Sequence, residues 1–197
     1  MHTQLKSFIS LLRRYPLPMI GNISGVAVAL AAFLIIMMEV QFHRTYDRNV
    51  PAGDRIFLLT HFIDSTSVWP TTNRQLADRL KTLSPYIEKT AYRKCFLKKS
   101  ERINDTDIEC PNVKVSGSDF YALFGFDWIC CDTTLFTDPN VLFLPESIAM
   151  QQFGTTWLMG RNANQETDAL RIGGVYRDFP ENSSLLNAVY RHMGDQD

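Results

Sequence analysis

Neither sign of charge dominates this 197-residue chain: 20 Lys and Arg stand against 21 Asp and Glu, a net charge of −1 at pH 7. Without a basic excess there is no electrostatic footprint for nucleic acid, and that class of partner drops out. Signatures of bond chemistry are missing as well. There is no G-x-x-x-x-G-K-[ST] loop to cradle nucleotide phosphates, so any ATP hydrolysis must come from another subunit. His2, His43, His61 and His192 are scattered, with no HExxH and no Cys/His pair at zinc spacing, and read as surface or interfacial side chains. No GxSxG elbow is present, and no residue set asks for a cofactor or a metal. Repeats and low-complexity tracts are also lacking. With 45% hydrophobic and 21% charged residues the composition is that of a folding chain rather than a disordered one. A mass of 22.6 kDa leaves room for one ordinary domain and little else.

Charge is absent locally too, and that absence is the strongest signal in the chain. Residues 15–38 contain no Asp, Glu, Lys or Arg. Within them residues 19–38 are predominantly apolar, and about 20 such residues cross a hydrocarbon layer of about 30 Å. A transmembrane helix over 18–40 is expected. A cleaved signal peptide would carry a shorter apolar core, about 7–15 residues, and a small-residue cleavage site, whereas this run ends in bulky Ile and Met. A buried soluble helix would show a polar face, and residues 26–38 show none. The mean hydropathy of −0.12 over the whole chain then makes the remainder distinctly polar.

Lys6, Arg13 and Arg14 before the span nearly balance Arg44, Arg48 and Arg55 after it, so charge does not set the topology. In residues 1–17, Leu5, Phe8, Ile9 and Leu12 recur at helical spacing, as in a helix lying on a membrane surface, or else in a slightly amphipathic leader with no role. Inside the span Gly21, Gly25 and Ala29 recur every four residues. This is a small-residue face on which another helix can pack, although small residues are common in such spans anyway. Asn22 and Ser24 lie beside it and can hydrogen-bond across. Glu39 at the span's end reads as interfacial.

After the span the pattern is mixed α and β. Strands are expected over 55–62, 87–97, 107–115, 141–144, 170–178 and 184–190. The second and third form a hairpin around the polar turn 98–105. Helices are expected from Thr72, with Leu76, Leu80 and Leu83 on one face until Ser84-Pro85, over 119–125, and from Pro145 to Gly154. The fold class is therefore α+β behind one amino-terminal transmembrane helix.

Several segments carry a resemblance. NISGVAVALAA at 22–32, VQFHRTYDR at 40–48 and DRIF at 54–57 are similar to the first transmembrane helix and the start of the following domain in FtsX/MacB-like ABC transporter permeases. DFYALFGFDW at 119–128, DPNVLFLPESIAMQQFG at 138–154 and GGVYRDFPENSSL at 173–185 resemble successive landmarks of that family's periplasmic core domain. The similarity runs from about Leu5 to Leu186. It implies a non-catalytic membrane subunit that couples a separate cytoplasmic ATP-binding subunit to an extracytoplasmic domain, for export or for transmission of force. Implied partners are that ATPase, further permease helices or a second permease copy, and the lipid bilayer. The resemblance also implies a bacterial inner membrane location, with the amino terminus cytoplasmic and residues 41–197 forming a periplasmic core domain. A full module of the family carries more spans after that domain. The sequence stops at Asp197 without a second one, so the expectation is a truncated piece of a longer permease, a decayed gene or a short product with its own role. The competing class is a stand-alone single-pass sensor whose extracytoplasmic domain binds an envelope ligand.

On that topology Cys95, Cys110, Cys130 and Cys131 face an oxidising compartment. Cys95 and Cys110 are symmetric about Arg102-Ile103 in the expected hairpin, so a disulfide between them is one reading and small buried hydrophobes the other. Asp54-Arg55 and Asp178 to Pro180 mark the two ends of the domain. They read as turn chemistry, or as residues bracing the domain on its stalk.

Overall fold

An uninterrupted helix is what residues 19–38, without charge or Pro and rich in Ala, Ile, Leu and Met, should form, and the computed structural model contains it within α1 (Pro16–Arg44), whose two prolines, Pro16 and Pro18, fall in the first turn where no intrahelical N–H bond is lost. The structure describes residues 14, 16–51, 53–62, 68–69, 74–164 and 170–194. The surface helix expected over 1–17 falls outside the described residues as far as Arg13. The 29 residues of α1 are long and apolar enough to cross a membrane, and none of them is buried within the chain. The helix continues beyond the expected end of the span. Glu39 and His43, one turn apart, pair at 2.9 Å, and the Thr45 hydroxyl donates to the Gln41 carbonyl at 2.9 Å, closing the last turn. His43 and Arg44 also suit the negative end of the helix dipole.

The chain divides into two units, Met1–Tyr46 and Asp47–Asp197. The second begins with a 3₁₀ turn (Gly53–Arg55) and a two-stranded ribbon of β1 (His61–Phe62) and β2 (Val68–Trp69), followed by α2 (Arg74–Leu83). Then come β3 (Arg93–Ile103), β4 (Thr106–Val115), α3 (Ser118–Phe124), β5 (Trp128–Cys131), β6 (Val141–Pro145), α4 (Glu146–Phe153), β7 (Arg171–Tyr176) and β8 (Val189–His192). These strands form one six-stranded mixed sheet in the order β3-β4-β8-β6-β7-β5. The architecture is α+β, as expected.

β6 lies inside the sheet with all five residues buried, which is why its sequence is a continuous apolar run rather than an alternating one. Its side chains split between two cores. Leu142 and Leu144 join Ile172, Val189 and, from α4, Ile148 and Ala149. Val141 and Phe143 face the other way and join Val113, Val115, Tyr176, Tyr190 and, from α3, Phe120 and Tyr121. The second core is largely aromatic, with the Tyr121 ring 4.5 Å from that of Phe136 and 5.2 Å from that of Phe143. Pro145 ends the strand and starts α4, and Gly154 at φ 67 closes it by donating to the Met150 carbonyl at 3.0 Å.

Three expectations need correction. The hairpin turn is Asn104-Asp105, both at positive φ (52° and 60°), and residues 98–103, expected in the turn, continue β3. Two residues at positive φ match the right-handed twist of the flanking strands, so the local Asn-Asp pair outweighs the polarity of the longer run. Of the strand expected over 55–62 only His61 and Phe62 pair, and Phe57 and Leu58 are 87% and 76% exposed. Of 184–190 only the last two residues enter β8, because the preceding backbone is engaged by side chains described below.

At Gly174 a Cβ would stand 2.6 Å from the Cys130 carbonyl oxygen, a backbone atom that cannot move without parting β5 from β7. Gly174→Ala is expected to lower stability by about 2 kcal/mol, read as a fall in the urea midpoint, and an unchanged midpoint would contradict this close contact.

Candidate functional site

Asp47 is the first residue of the sheet-bearing unit, directly after the helical one. It adopts φ 54, a left-handed conformation that Asp tolerates better than most residues. In that conformation its N–H donates to the Asn182 carbonyl at 2.9 Å while its carboxylate accepts from the Ser184 N–H at 2.6 Å and the Ser183 hydroxyl at 3.2 Å. The Ser183 hydroxyl also accepts from the N–H of Leu185, a buried member of the aromatic core. Arg93 of β3 donates to the Ser184 carbonyl at 3.3 Å. The start of the domain is thereby tied to the loop between β7 and β8.

A second attachment follows at once. The Val50 N–H donates to the Asp47 carbonyl at 3.0 Å, Val50 is buried, and Pro51 lies against Gly125, which ends α3 at φ 61. A Cβ on Gly125 would meet Pro51 Cγ at 2.4 Å, so only glycine permits this approach.

The β7–β8 loop is held from its other side too. Asn187 accepts from the Phe179 N–H at 2.7 Å and donates to the Phe179 carbonyl at 3.0 Å, standing in for a strand partner. The Tyr176 hydroxyl donates to the Ala188 carbonyl at 2.7 Å and accepts from the Ala188 N–H at 2.9 Å. Asp178 accepts from the Ser147 N–H at 3.2 Å, supplying from a distance the cap that Pro145 cannot give α4.

The residues expected to brace the domain are distributed differently. Arg55 forms an exposed ion pair with Glu88 at 2.6 Å, a contact that contributes little in water. Asp54 sits exposed in the 3₁₀ turn, and Pro180 is exposed in the loop. Among the described residues no hydrogen bond joins Asp54 or Arg55 to Asp178 or Pro180. Asp47, Asn182, Ser183 and Ser184, which make the bridge, were not singled out from the sequence. The available signals were an Asp immediately past a helix end and an Asn-Ser-Ser run of side chains that bond locally to backbone.

On α1, Gly21 and Gly25 have open space where a Cβ would lie. Ser24 turns back to the Gly21 carbonyl at 3.0 Å instead of projecting a free hydroxyl. The cysteine geometry is a correction. Cys95 stands opposite Val113 and Cys110 opposite Lys99, with an irregularity in register between them, and Cys95 is exposed while Cys110 is buried. Three residues separate Val113, opposite Cys95, from Cys110 along β4, about 10 Å, beyond the about 7 Å that a disulfide spans between Cα atoms. The hairpin axis lies two residues later than the sequence symmetry suggested, which is what parts the two thiols. Cys130 donates to the Thr156 carbonyl at 3.2 Å, and burial, then Asp132 and Cys130, push the Cys131 thiol up to about 12. Such a thiol is unreactive near neutrality.

Burial also holds Tyr121, Tyr176 and Tyr190 above the usual phenol range. All four groups bind protons more tightly when folded than when unfolded. Their contribution is intact below the thiol's ordinary value of 9.0 and is lost as pH climbs toward the folded values. The urea midpoint is expected to hold from pH 7 to about 8.5 and fall steadily above about 9; a midpoint at pH 11 equal to that at pH 7 would refute this.

Comparison with known proteins finds a partial likeness to solved structures, among them the following two. One is a domain from Porphyromonas gingivalis named as part of a permease, with a TM-score of 0.49 and 23% identity over 59% of this chain. The chain spans about half of that one, 51% of its length. The other is the periplasmic region of MacB from Actinobacillus actinomycetemcomitans, with a TM-score of 0.46 and 13% identity over 76% of this chain and 67% of that one. No family model and no curated protein matches the sequence. Among the described residues no three His, Cys, Asp or Glu side chains cluster as a metal site would require.

Proposed function

We propose that this chain is the amino-terminal part of an ABC-type permease of the FtsX/MacB kind, coupling a cytoplasmic ATPase to an extracytoplasmic domain. The observation that carries the reading is spatial. The segments that resemble the family are far apart in sequence and meet in the fold. Asp47, from the first, is bound by Ser183 and Ser184 of the last. Pro51 follows the first segment and rests on Gly125 of the middle one. Asp178 of the last caps the helix α4 supplied by the segment 138–154. Phe126, Phe143 and Tyr176, each from a different segment, share one aromatic core. That the resembling segments contact one another in the fold supports reading them as parts of one architecture.

In this reading α1 spans the inner membrane with its amino terminus in the cytoplasm, and Asp47 passes helix movement into the β7–β8 loop. Gly21, Gly25 and Ala29 form the face for further permease helices or a second copy. Asp54, Arg55, Asp178 and Pro180 act as local supports near the two ends of the domain, and the ATPase hydrolyses the nucleotide. The test is to purify the product of the native locus from bacterial membranes in mild detergent and assay ATP hydrolysis. A co-purifying nucleotide-binding subunit with vanadate-sensitive turnover is expected. A product that reaches homogeneity without ATPase activity, from a locus encoding neither further spans nor an ATPase, would leave the single-pass sensor as the better description.

A further inference from the structure

Among the described residues, none from 53–90 joins either core of the sheet-bearing unit, although this stretch is rich in large apolar side chains. β1 and β2 pair only with each other, outside the six-stranded sheet. Phe57 and Leu58, ahead of them, are exposed. After them α2 carries Leu76, Leu80 and Leu83 at helical spacing, yet Leu76 is 41% and Leu83 72% exposed, and Tyr86 just past the helix is 93% exposed. An apolar stripe of helical period normally faces a core, whereas this one leaves two of its three leucines open. The two exposed stretches are joined. Arg55 pairs with Glu88 at 2.6 Å, so the residues beside Arg55 and those beside Glu88 belong to one surface. Single apolar side chains on a surface need no account, but several brought together mark a contact with something else.

Charge and connectivity decide what that is. α2 holds Arg74, Arg79 and Lys81 against Asp78, and Arg55 and Lys89 flank the exposed stretches. A short cationic helix with an open leucine stripe fits an anionic lipid surface, where apolar side chains enter the acyl boundary and cations remain among the headgroups. Against a second copy of itself the same helix would meet like charge. The bilayer is also kept close by the chain. Only Thr45 and Tyr46 separate the end of α1 from Asp47, and three successive turns, Asp47 to Val50, Val50 to Gly53 and Gly53 to Ile56, shorten the path from Asp47 to Phe57. A tethered surface acts at high effective concentration, so a few side chains suffice to engage it.

We propose that Phe57, Leu58, Leu83 and Tyr86, with Leu76 of α2, form a second membrane contact that enters the boundary between headgroups and acyl chains of the bilayer spanned by α1. Phe57, Leu58 and the leucines supply apolar depth, Tyr86 suits the wet side of that boundary, and Arg55, Arg79 and Lys89 supply charge for anionic headgroups. The proposal rests on α1 spanning a membrane and is independent of transport.

The test places the whole chain, one copy per disc, in nanodiscs of phosphatidylcholine and phosphatidylglycerol whose acyl chains carry a diazirine, followed by photolysis and tryptic digestion. α1 is expected to take label, which checks the span. The peptides 56–74 and 82–89 are expected to take label too, at Phe57 and Leu58 in the first and at Leu83 and Tyr86 in the second. Leu97 and Trp157, nearly as exposed as Leu83 but carried by β3 and by the loop after α4, are expected to remain unlabelled. Phe57→Asp combined with Leu58→Asp, at positions outside both cores, should lower the label in both peptides by on the order of tenfold and leave that in α1 unchanged. Label in α1 with either peptide unlabelled would overturn the proposal and keep the span, whereas no label in α1 would remove both. Equal label at Leu97 and Trp157, or a double variant labelled like the parent, would overturn it as well. Amide protection over 56–59 that arises only in discs holding two copies would assign the surface to self-association instead.

Discussion

Asp47→Ala is expected to lower the stability of the sheet-bearing unit by about 3 kcal/mol, while Asp47→Asn costs about 1 kcal/mol. Alanine removes the acceptor for the Ser184 N–H and the Ser183 hydroxyl, and it is poorly suited to the φ of 54° that the position holds. Those two terms, about 1–3 kcal/mol for stranded donors and about 1–2 kcal/mol for a left-handed Ala, add to the stated figure without requiring loss of the core. Asparagine tolerates the same backbone and keeps one acceptor, losing only the charge assistance of the short bond. Urea denaturation of both variants, with amide exchange at residues 182–185, measures the effect. If Asp47→Ala matched the parent in midpoint and in protection of Ser184, the tie between the domain's first residue and the β7–β8 loop would have no energetic content.

Tyr176→Phe should be comparably costly for a different reason. The phenol oxygen is both donor and acceptor to one residue, Ala188, whose carbonyl and N–H are buried with it. Phenylalanine fills the same volume and leaves the aromatic core intact, so no cavity forms. What remains is a buried donor and a buried acceptor with no partner, each costing about 1–3 kcal/mol. A loss of about 3 kcal/mol is expected, with an unaltered aromatic circular dichroism signature apart from the missing tyrosine. A loss below about 0.5 kcal/mol would show that water reaches Ala188 and replaces the phenol, against the burial of both residues.

The two cases divide along what a sequence can express. α1 was legible because it requires no partner: residues 16–44 carry enough apolar length and helix propensity to specify a helix by themselves. β6 and α4 were legible because Pro145 and Gly154 punctuate a short apolar run and an eight-residue helix with local backbone rules. α2 was recognised from its leucine spacing and ends at Leu83, before the Ser84-Pro85 stop. The hairpin was found, but its axis was displaced, because polarity over 98–105 is a weaker guide than the conformational demand at Asn104 and Asp105. That two-residue error alone moved Cys110 from opposite Cys95 to opposite Lys99.

The candidate site was harder to read, and the reason is sequence separation. Asp47 acquires its role from Ser183 and Ser184, and Asp178 acquires its role from Ser147. Nothing within a local window distinguishes these acids from Asp54, which has the same chemistry and sits exposed in a turn.

The amino-acid sequence by itself determined the membrane-length helix, the α+β class and most elements whose ends are marked by Pro, Gly or a change of period, because these depend on interactions within a few residues. Only the tertiary structure decided the strand order, the separation of the thiols, the clamp on Ala188 and the tie at Asp47, because each depends on a partner brought near by the packing of the whole sheet.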